Sequence, residues 1–123
     1  MKIEVSNGEI ADKYSVLLVK EMKIKDENKL LNVRNEHHSI KPTFDLFMKT
    51  TDKLFVDLFN INFKLWEVLD LQDSLIQKSQ HDHEFIELTL KVHELNDLRY
   101  QIKREINEVT QSSLFEEKEY ERN

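Results

Sequence analysis

The chain has 123 residues, 39% of them hydrophobic and 34% charged, with a net charge of −6, which is enough for one domain, 1–123, with a core of its own. The acidic balance argues against binding duplex nucleic acid, whose phosphates call for a positive field, and the absence of cysteine excludes a disulfide framework, a thiolate metal site and a thiol nucleophile. No apolar run approaches the roughly 20 residues of a membrane span, and Met1–Val5 has no signal-like apolar stretch, so the expectation is a cytoplasmic protein without a membrane role.

One glycine and one proline leave little for strand reversals, which consume both. The composition predicts an all-α fold: an antiparallel bundle of three to four helices with a long, heptad-patterned C-terminal helix. Residues 1–6 read as an extended arm. Ser6-Asn7-Gly8-Glu9 is a capping box, in which Ser6 accepts from the Glu9 amide and the Glu9 carboxylate reaches back. Glu9 and Asp12 also suit the positive end of the helix dipole. Ile10, Tyr14, Leu17, Leu18, Met22 and Ile24 recur at helical spacing and predict a first helix over 7–25.

Asp26-Glu27-Asn28 reads as a tight polar link, followed by a short second helix to about His38. Pro42 fits the first turn of the next helix, where its missing amide costs nothing. Residues 43–78 carry Phe44, Phe47, Leu54, Phe55, Leu58, Ile61, Leu65, Leu69, Leu75 and Ile76, and predict one long helix with a kink near Asn60–Asn62. Ser79–His83 is a link, with Asp82 as N-cap. Phe85, Leu88, Val92, Leu95, Arg99, Ile102, Ile106 and Val109 then alternate by three and four, a heptad seam with one polar member. That helix is expected to end near Ser112, leaving 113–123 as an acidic tail that packs through Phe115 and Tyr120.

Arg99 is the residue that most invites a chemical reading. A guanidinium in an apolar seam is costly unless paired. It is either an anion site inside the bundle, since its planar fork matches carboxylate and phosphate, or one half of a structural ion pair. Asn62 and Gln72 share the apolar face of the middle helix. Lys13 and Lys20 flank Leu17, and Asn96, Lys103 and Asn107 run beside Arg99. Together they read either as a polar pocket between helices or, residue by residue the commoner case, as buried amides that set helix register and lysines that are solvated. Trp66, the single tryptophan, belongs to the core on its area alone. Glu84-x-x-Glu87 and Glu94-x-x-Asp97 have the look of the paired carboxylates of helical nucleotide pyrophosphohydrolases, but both pairs sit on one helix and read as an exposed acidic stripe. Glu36-His37-His38 and His81-Asp82-His83-Glu84 lack the i, i+4 histidine spacing of a helical metal site. No metal and no cofactor is expected.

Val5-Ser6-Asn7-Gly8-Glu9-Ile10-Ala11-Asp12-Lys13, Ser15-Val16-Leu17, Lys20, Lys29-Leu30-Leu31-Asn32-Val33-Arg34, Asn62-x-x-Leu65-Trp66-Glu67, Phe85-Ile86-Glu87-Leu88, Asn96-Asp97-Leu98-Arg99, Ile102-Lys103-Arg104-Glu105-Ile106-Asn107 and Glu116-Glu117-Lys118-x-Tyr120 together resemble a family of small uncharacterised all-helical bacterial and phage proteins, a domain of unknown function. The resemblance covers most of the chain apart from about 38–58. It implies a helical fold, and no established activity comes with it. Some members look associated with cell-surface sugar genes, which is compatible with an anionic sugar or nucleotide ligand. From the residues and this resemblance together, the expected ligand-binding set is Lys13, Lys20, Arg34, Asn62, Trp66, Asn96, Arg99 and Lys103.

The function expected is that of a small helical binding or interaction protein, a homodimer, holding an anionic small molecule between helices or meeting a protein partner. The rival is an enzyme with an electrostatic Arg/Lys site in a helical bundle, built like the helical chorismate mutases from Lys20, Arg34, Gln72, Arg99 and Lys103, or acting on a nucleotide or sugar.

Overall fold

The computed structural model describes residues 3–78 and 83–112. Among the described residues there are four helices and no strand: α1 (Asn7–Lys23), α2 (Glu27–Asp45), α3 (Lys53–Gln77) and α4 (His83–Val109). The all-α bundle expected from the composition is the fold observed. The acidic tail with its Phe115 and Tyr120 contacts, Lys118 and the Asp82 cap lie outside the described residues.

The first three helices begin where the local chemistry supplies an acceptor or a turn. Ser6 Oγ accepts from the Glu9 amide at 3.2 Å, and Asp26 Oδ1 accepts from the amides of Asn28 and Lys29 at 2.9 and 3.1 Å. Asp52 precedes α3 and turns its carboxylate backwards, taking the Lys49 amide at 2.9 Å and so ordering the approach to the helix.

The second and third helices depart from the sequence reading. α2 does not stop near His38; it continues through Pro42 to Asp45, and α3 starts at Lys53. Pro42 therefore sits in the last turn of one helix, not the first turn of the next. Proline forfeits one helical hydrogen bond and crowds the preceding turn. Burial of Phe44, worth roughly 1.5–3 kcal/mol, offsets that cost. Phe44 has no exposed surface, and its ring lies 4.5 Å from that of Tyr14 and 4.9 Å from that of Phe55. The 25 residues of α3 run as one unbroken helix through Asn60–Asn62.

α1 is the central element, packed against all three others, while α3 pairs with α4 along a hairpin. The inward members of the α4 seam include Leu95 and Ile106, whereas Val109 is 66% exposed. α4 ends there, short of Ser112. The core gathers Ala11 and Tyr14 from α1, Phe44 and Met48 from the end of α2, Phe55 and Leu58 from α3, and Ile106 from α4.

Candidate functional site

The first turn of α1 is docked into the last turns of α4. Its first three amides would be unsatisfied in an isolated helix. Asn7 N donates to Ser112 Oγ at 3.0 Å, Gly8 N to Asn107 Oδ1 at 2.6 Å, and Glu9 N to Ser6 Oγ. The Asn7 side chain adds a bond to Thr110 Oγ1 at 2.9 Å. Gly8 permits this approach: a Cβ there would stand 2.4 Å from the carbonyl oxygen of Lys103. Lys103, 8% exposed, completes the joint by ion-pairing with Glu9.

One turn deeper lies a buried polar network spanning three helices. Asp12, 5% exposed, receives Arg99 in a two-point contact, Nε to Oδ1 at 2.7 Å and Nη2 to Oδ2 at 2.6 Å. Asn62, also 5% exposed, donates from Nδ2 to Asp12 Oδ1 at 2.9 Å and to Ser15 Oγ at 2.7 Å, while the Ser15 hydroxyl donates to the Asp12 carbonyl at 2.7 Å. Arg99 thus has a carboxylate partner on a neighbouring helix. The dipole role read for Asp12 from its position is secondary to this pairing.

Above the network, α1, α3 and α4 diverge and leave a cleft of about 320 Å³, at the small end of ligand sites. Val16 and Val19 come from α1; Asn62, Leu65, Trp66 and Leu69 from α3; Val92, Asn96 and Arg99 from α4. The walls are apolar, and the polar groups are confined to the two amides and the guanidinium. Because Asp12 neutralises Arg99, the cleft offers hydrogen-bond donors and a partly screened positive edge, not a free cation.

Four of the eight residues expected to bind ligand therefore line one cleft: Asn62, Trp66, Asn96 and Arg99. The other four stand elsewhere. Lys103 belongs to the α1–α4 joint. Lys13 faces Glu36 at 3.6 Å in an exposed pair on the α2 side. Arg34 is exposed on α2, and Lys20 is half-buried near the end of α1. Gln72 donates to Thr89 Oγ1 at 2.8 Å beyond the cleft. Of the electrostatic set considered for an enzyme, Arg99 alone reaches the cleft.

One cluster was not read from the sequence. Tyr14 Oη and His37 Nε2 are 2.9 Å apart, and His37 Nδ1 lies 2.5 Å from Glu21 Oε1. A carboxylate at Glu21 only accepts, so Nδ1 is the donor in that contact, and Nε2 shares a hydrogen bond with the Tyr14 hydroxyl. Burial pushes the Tyr14 phenol up from its ordinary pKa; Lys41 opposes that shift, and Asp45 and Glu21 add to it. Tyr14 and Glu21 are one heptad apart on α1, but the α1–α2 register is needed to place His37 between them.

Glu84, Glu87 and Glu94 are exposed, with Glu87 paired to His83 at 2.9 Å and Glu94 to Lys91 at 3.7 Å. Among the described residues, no group of three metal-ligating side chains converges, and no helix is long and apolar enough to cross a membrane.

No curated protein and no solved structure matches the chain. A family model does, over residues 1–123: the chain belongs to a family of unknown function, DUF6165.

Proposed function

We propose that this family member is a small binding protein whose α1–α3–α4 cleft takes an amphipathic molecule with an apolar body and one anionic end. The carrying observation is the composition of the cleft: apolar walls from Val16, Val19, Leu65, Leu69 and Val92, closed on one side by Asn62, Asn96 and Arg99. An apolar body gains about 25 cal/mol for each Å² removed from water. The anionic end accepts from the Asn96 amide, since both Asn62 N–H groups are engaged by Asp12 and Ser15, and meets the edge of a guanidinium whose orientation the Asp12 contact fixes, so little ordering is left to be done on binding. This modifies the ligand expected from sequence: with Arg99 neutralised, a highly charged phosphate ester has no matching charge here. Asp12, Asn62 and Arg99 serve the frame beside the cleft, and Lys103 and Asn107 the joint between α1 and α4, which supports reading them as architecture. The motif resemblance supports a bacterial or phage origin, and a cytoplasmic location is part of the same proposal.

Trp66 lines the cleft and is the only tryptophan, so its emission reports occupancy. Decanoate is expected to shift that emission and raise the melting temperature, with about 2.7 kcal/mol of added stability at 100 times its Kd. Decylamine is expected to do neither. Val16→Phe, which fills part of the cleft without adding a second tryptophan, is expected to abolish the decanoate response. A flat response to decanoate, or one unchanged in Val16→Phe, overturns the assignment.

A further inference from the structure

Asn7 is followed by the only glycine of the chain. Asparagine before glycine is a self-reactive pair, because glycine has no Cβ to keep its nitrogen from the asparagine side-chain carbonyl. The joint between α1 and α4 calls for both residues. A Cβ on residue 8 would collide with the Lys103 carbonyl oxygen, so a side chain fits there only if α1 moves. Asn7 Nδ2 donates to Thr110 Oγ1 at 2.9 Å, and that hydroxyl gives its own proton to the Ile106 carbonyl at 2.6 Å. The acceptor that remains suits an amide NH2 and not a carboxylate.

The same joint holds the pair unreactive. Ring closure needs the Gly8 nitrogen to lose its proton and turn toward the Asn7 side chain. That proton is bonded to Asn107 Oδ1 at 2.6 Å, and the backbone is helical from Asn7 onward. Gly8 and Asn107 are buried, which keeps a solvent base away. The Asn7 nitrogen, the Asn7 side chain and the Gly8 nitrogen are each tied to a different residue at the end of α4: Ser112, Thr110 and Asn107.

We propose that Asn7–Gly8 is a self-modification site, sealed while the first turn of α1 is seated on α4 and reactive when that turn lifts. The co-reactant is water. In the lifted turn a solvent base takes the Gly8 amide proton, and the nitrogen bonds to Asn7 Cγ. The Cγ–Nδ2 bond breaks, and the side-chain nitrogen takes up a proton and leaves as ammonia. The product is a five-membered cyclic imide. Water opens it at Cγ to give aspartate, or at the main-chain carbonyl to give isoaspartate, whose main chain runs through the former side chain and is one carbon longer. No atom changes oxidation state. The helix dipole partly compensates a carboxylate at this end, so aspartate is the milder product. Isoaspartate sets the Gly8 nitrogen out of register with Asn107 and faces Thr110 with a group that cannot donate. A reversible lifting of the turn is thereby made permanent.

Peptide mapping by mass spectrometry tests it. The full chain is incubated in warm, mildly alkaline buffer, folded or unfolded in guanidinium, and conversion at Asn7 is followed over time. Asn28 and Asn35, both exposed and followed by lysine and glutamate, serve as internal references. In guanidinium, Asn7 is expected to convert ahead of both. In the folded chain its conversion is expected to be at least about thirtyfold slower, since three hydrogen bonds must break to free the turn. Asn107→Ala and the nearly isosteric Thr110→Val are each expected to speed the folded-state conversion about five- to thirtyfold and to leave the guanidinium rate unchanged; Thr110→Val keeps the test decisive where the buried Asn107→Ala fails to fold. The isoaspartate form, separated by ion exchange, is expected to melt at a lower temperature than the unconverted chain. The inference is overturned by an Asn7 that stays intact in guanidinium, by equal rates in the folded and unfolded chain, by a folded-state rate that Thr110→Val does not move, or by an isoaspartate form that melts at the unchanged temperature.

Discussion

Asp12 and Arg99 are 87 positions apart in sequence, yet they meet in a two-point contact, with hydrogen bonds of 2.7 and 2.6 Å. The carboxylate side chain is 8% exposed and the guanidinium 31%. The contact joins α1 to α4, and Asn62 of α3 bonds the same carboxylate, so a single carboxylate ties together three helices. The cleft opens beside this junction, with Asn62 and Arg99 in its wall.

Breaking this pair from the arginine side strands a buried carboxylate. Loss of one partner of a buried pair costs about 3–5 kcal/mol; the partial exposure of Arg99 puts Arg99→Met at the lower end, about 3 kcal/mol. Urea unfolding measures it. The double variant Asp12→Leu/Arg99→Met, which removes both charges, is expected to be more stable than Arg99→Met alone. A double variant that loses the sum of both single losses would show that the two residues act independently.

The architecture was legible where a local pattern and the tertiary outcome agree. The helix class, the Ser6 cap, the Asp26 link and the inward face of α4 all follow from spacing and capping chemistry. What was misread is instructive. Pro42 carries a strong boundary signal, but Phe44 two residues later finds a pocket between Tyr14 and Phe55, and tertiary burial overrides local preference. Likewise Arg99 was visible as an anomaly in an apolar seam, while its partner was not. Asp12 sits near a helix start, where acidic residues are common for dipole reasons, and nothing within α1 marks it as buried. The lysines grouped with Arg99 lay at plausible helical spacings. Whether a lysine faces a cleft, a glutamate or solvent depends on which helix lies opposite, and a helical period does not encode that.

Gly8→Ala is expected to destabilise the protein although alanine is the better helix former. The propensity gain is at most about 1 kcal/mol. Against it, the new Cβ would lie 2.4 Å from the Lys103 carbonyl oxygen and 3.0 Å from Asn107 Oδ1. The first obstacle is backbone, so α1 must move off α4, weakening the Gly8–Asn107 bond. Overpacking of this kind costs about 1–3 kcal/mol. A lowered melting temperature is the expected result; an unchanged or raised one would mean that the first turn of α1 is not seated on α4 as described.

Alkaline pH tests the Tyr14–His37–Glu21 chain. Burial raises the phenol pKa in the folded protein above the ordinary tyrosine value of about 10. A raised folded-state pKa means the unfolded chain gives up the proton first. The stability tied to neutral Tyr14 is therefore complete below about pH 10 and declines as pH rises through the folded value. Melting temperatures measured from pH 8 to 12 are expected to fall above pH 10. Tyr14→Phe gives up the His37 bond, about 1 kcal/mol at neutral pH, and should show a shallower alkaline decline. Equal alkaline slopes in the two proteins would place the titrating group elsewhere.

Gln111 is the one described non-glycine residue with a left-handed backbone, at φ 54°. It ends α4 in a turn where Ser112 N donates to the Asn107 carbonyl at 2.8 Å and Gln111 N to that of Glu108 at 3.3 Å, the paired bonds of a Schellman motif. Glutamine pays a steric penalty there that glycine does not. The turn delivers the Ser112 hydroxyl onto the first amide of α1, so the strained residue holds the two ends of the described chain together. Gln111→Gly relieves the strain while keeping the turn, at the expense of more entropy in the unfolded chain. The net expectation is a gain of about 0.5–1 kcal/mol and a melting temperature raised by a few degrees. Ser112→Ala is expected to act in the opposite direction, since it leaves the Asn7 amide without its acceptor. If Gln111→Gly lowers stability while Ser112→Ala changes nothing, this turn is not what joins the end of α4 to the start of α1.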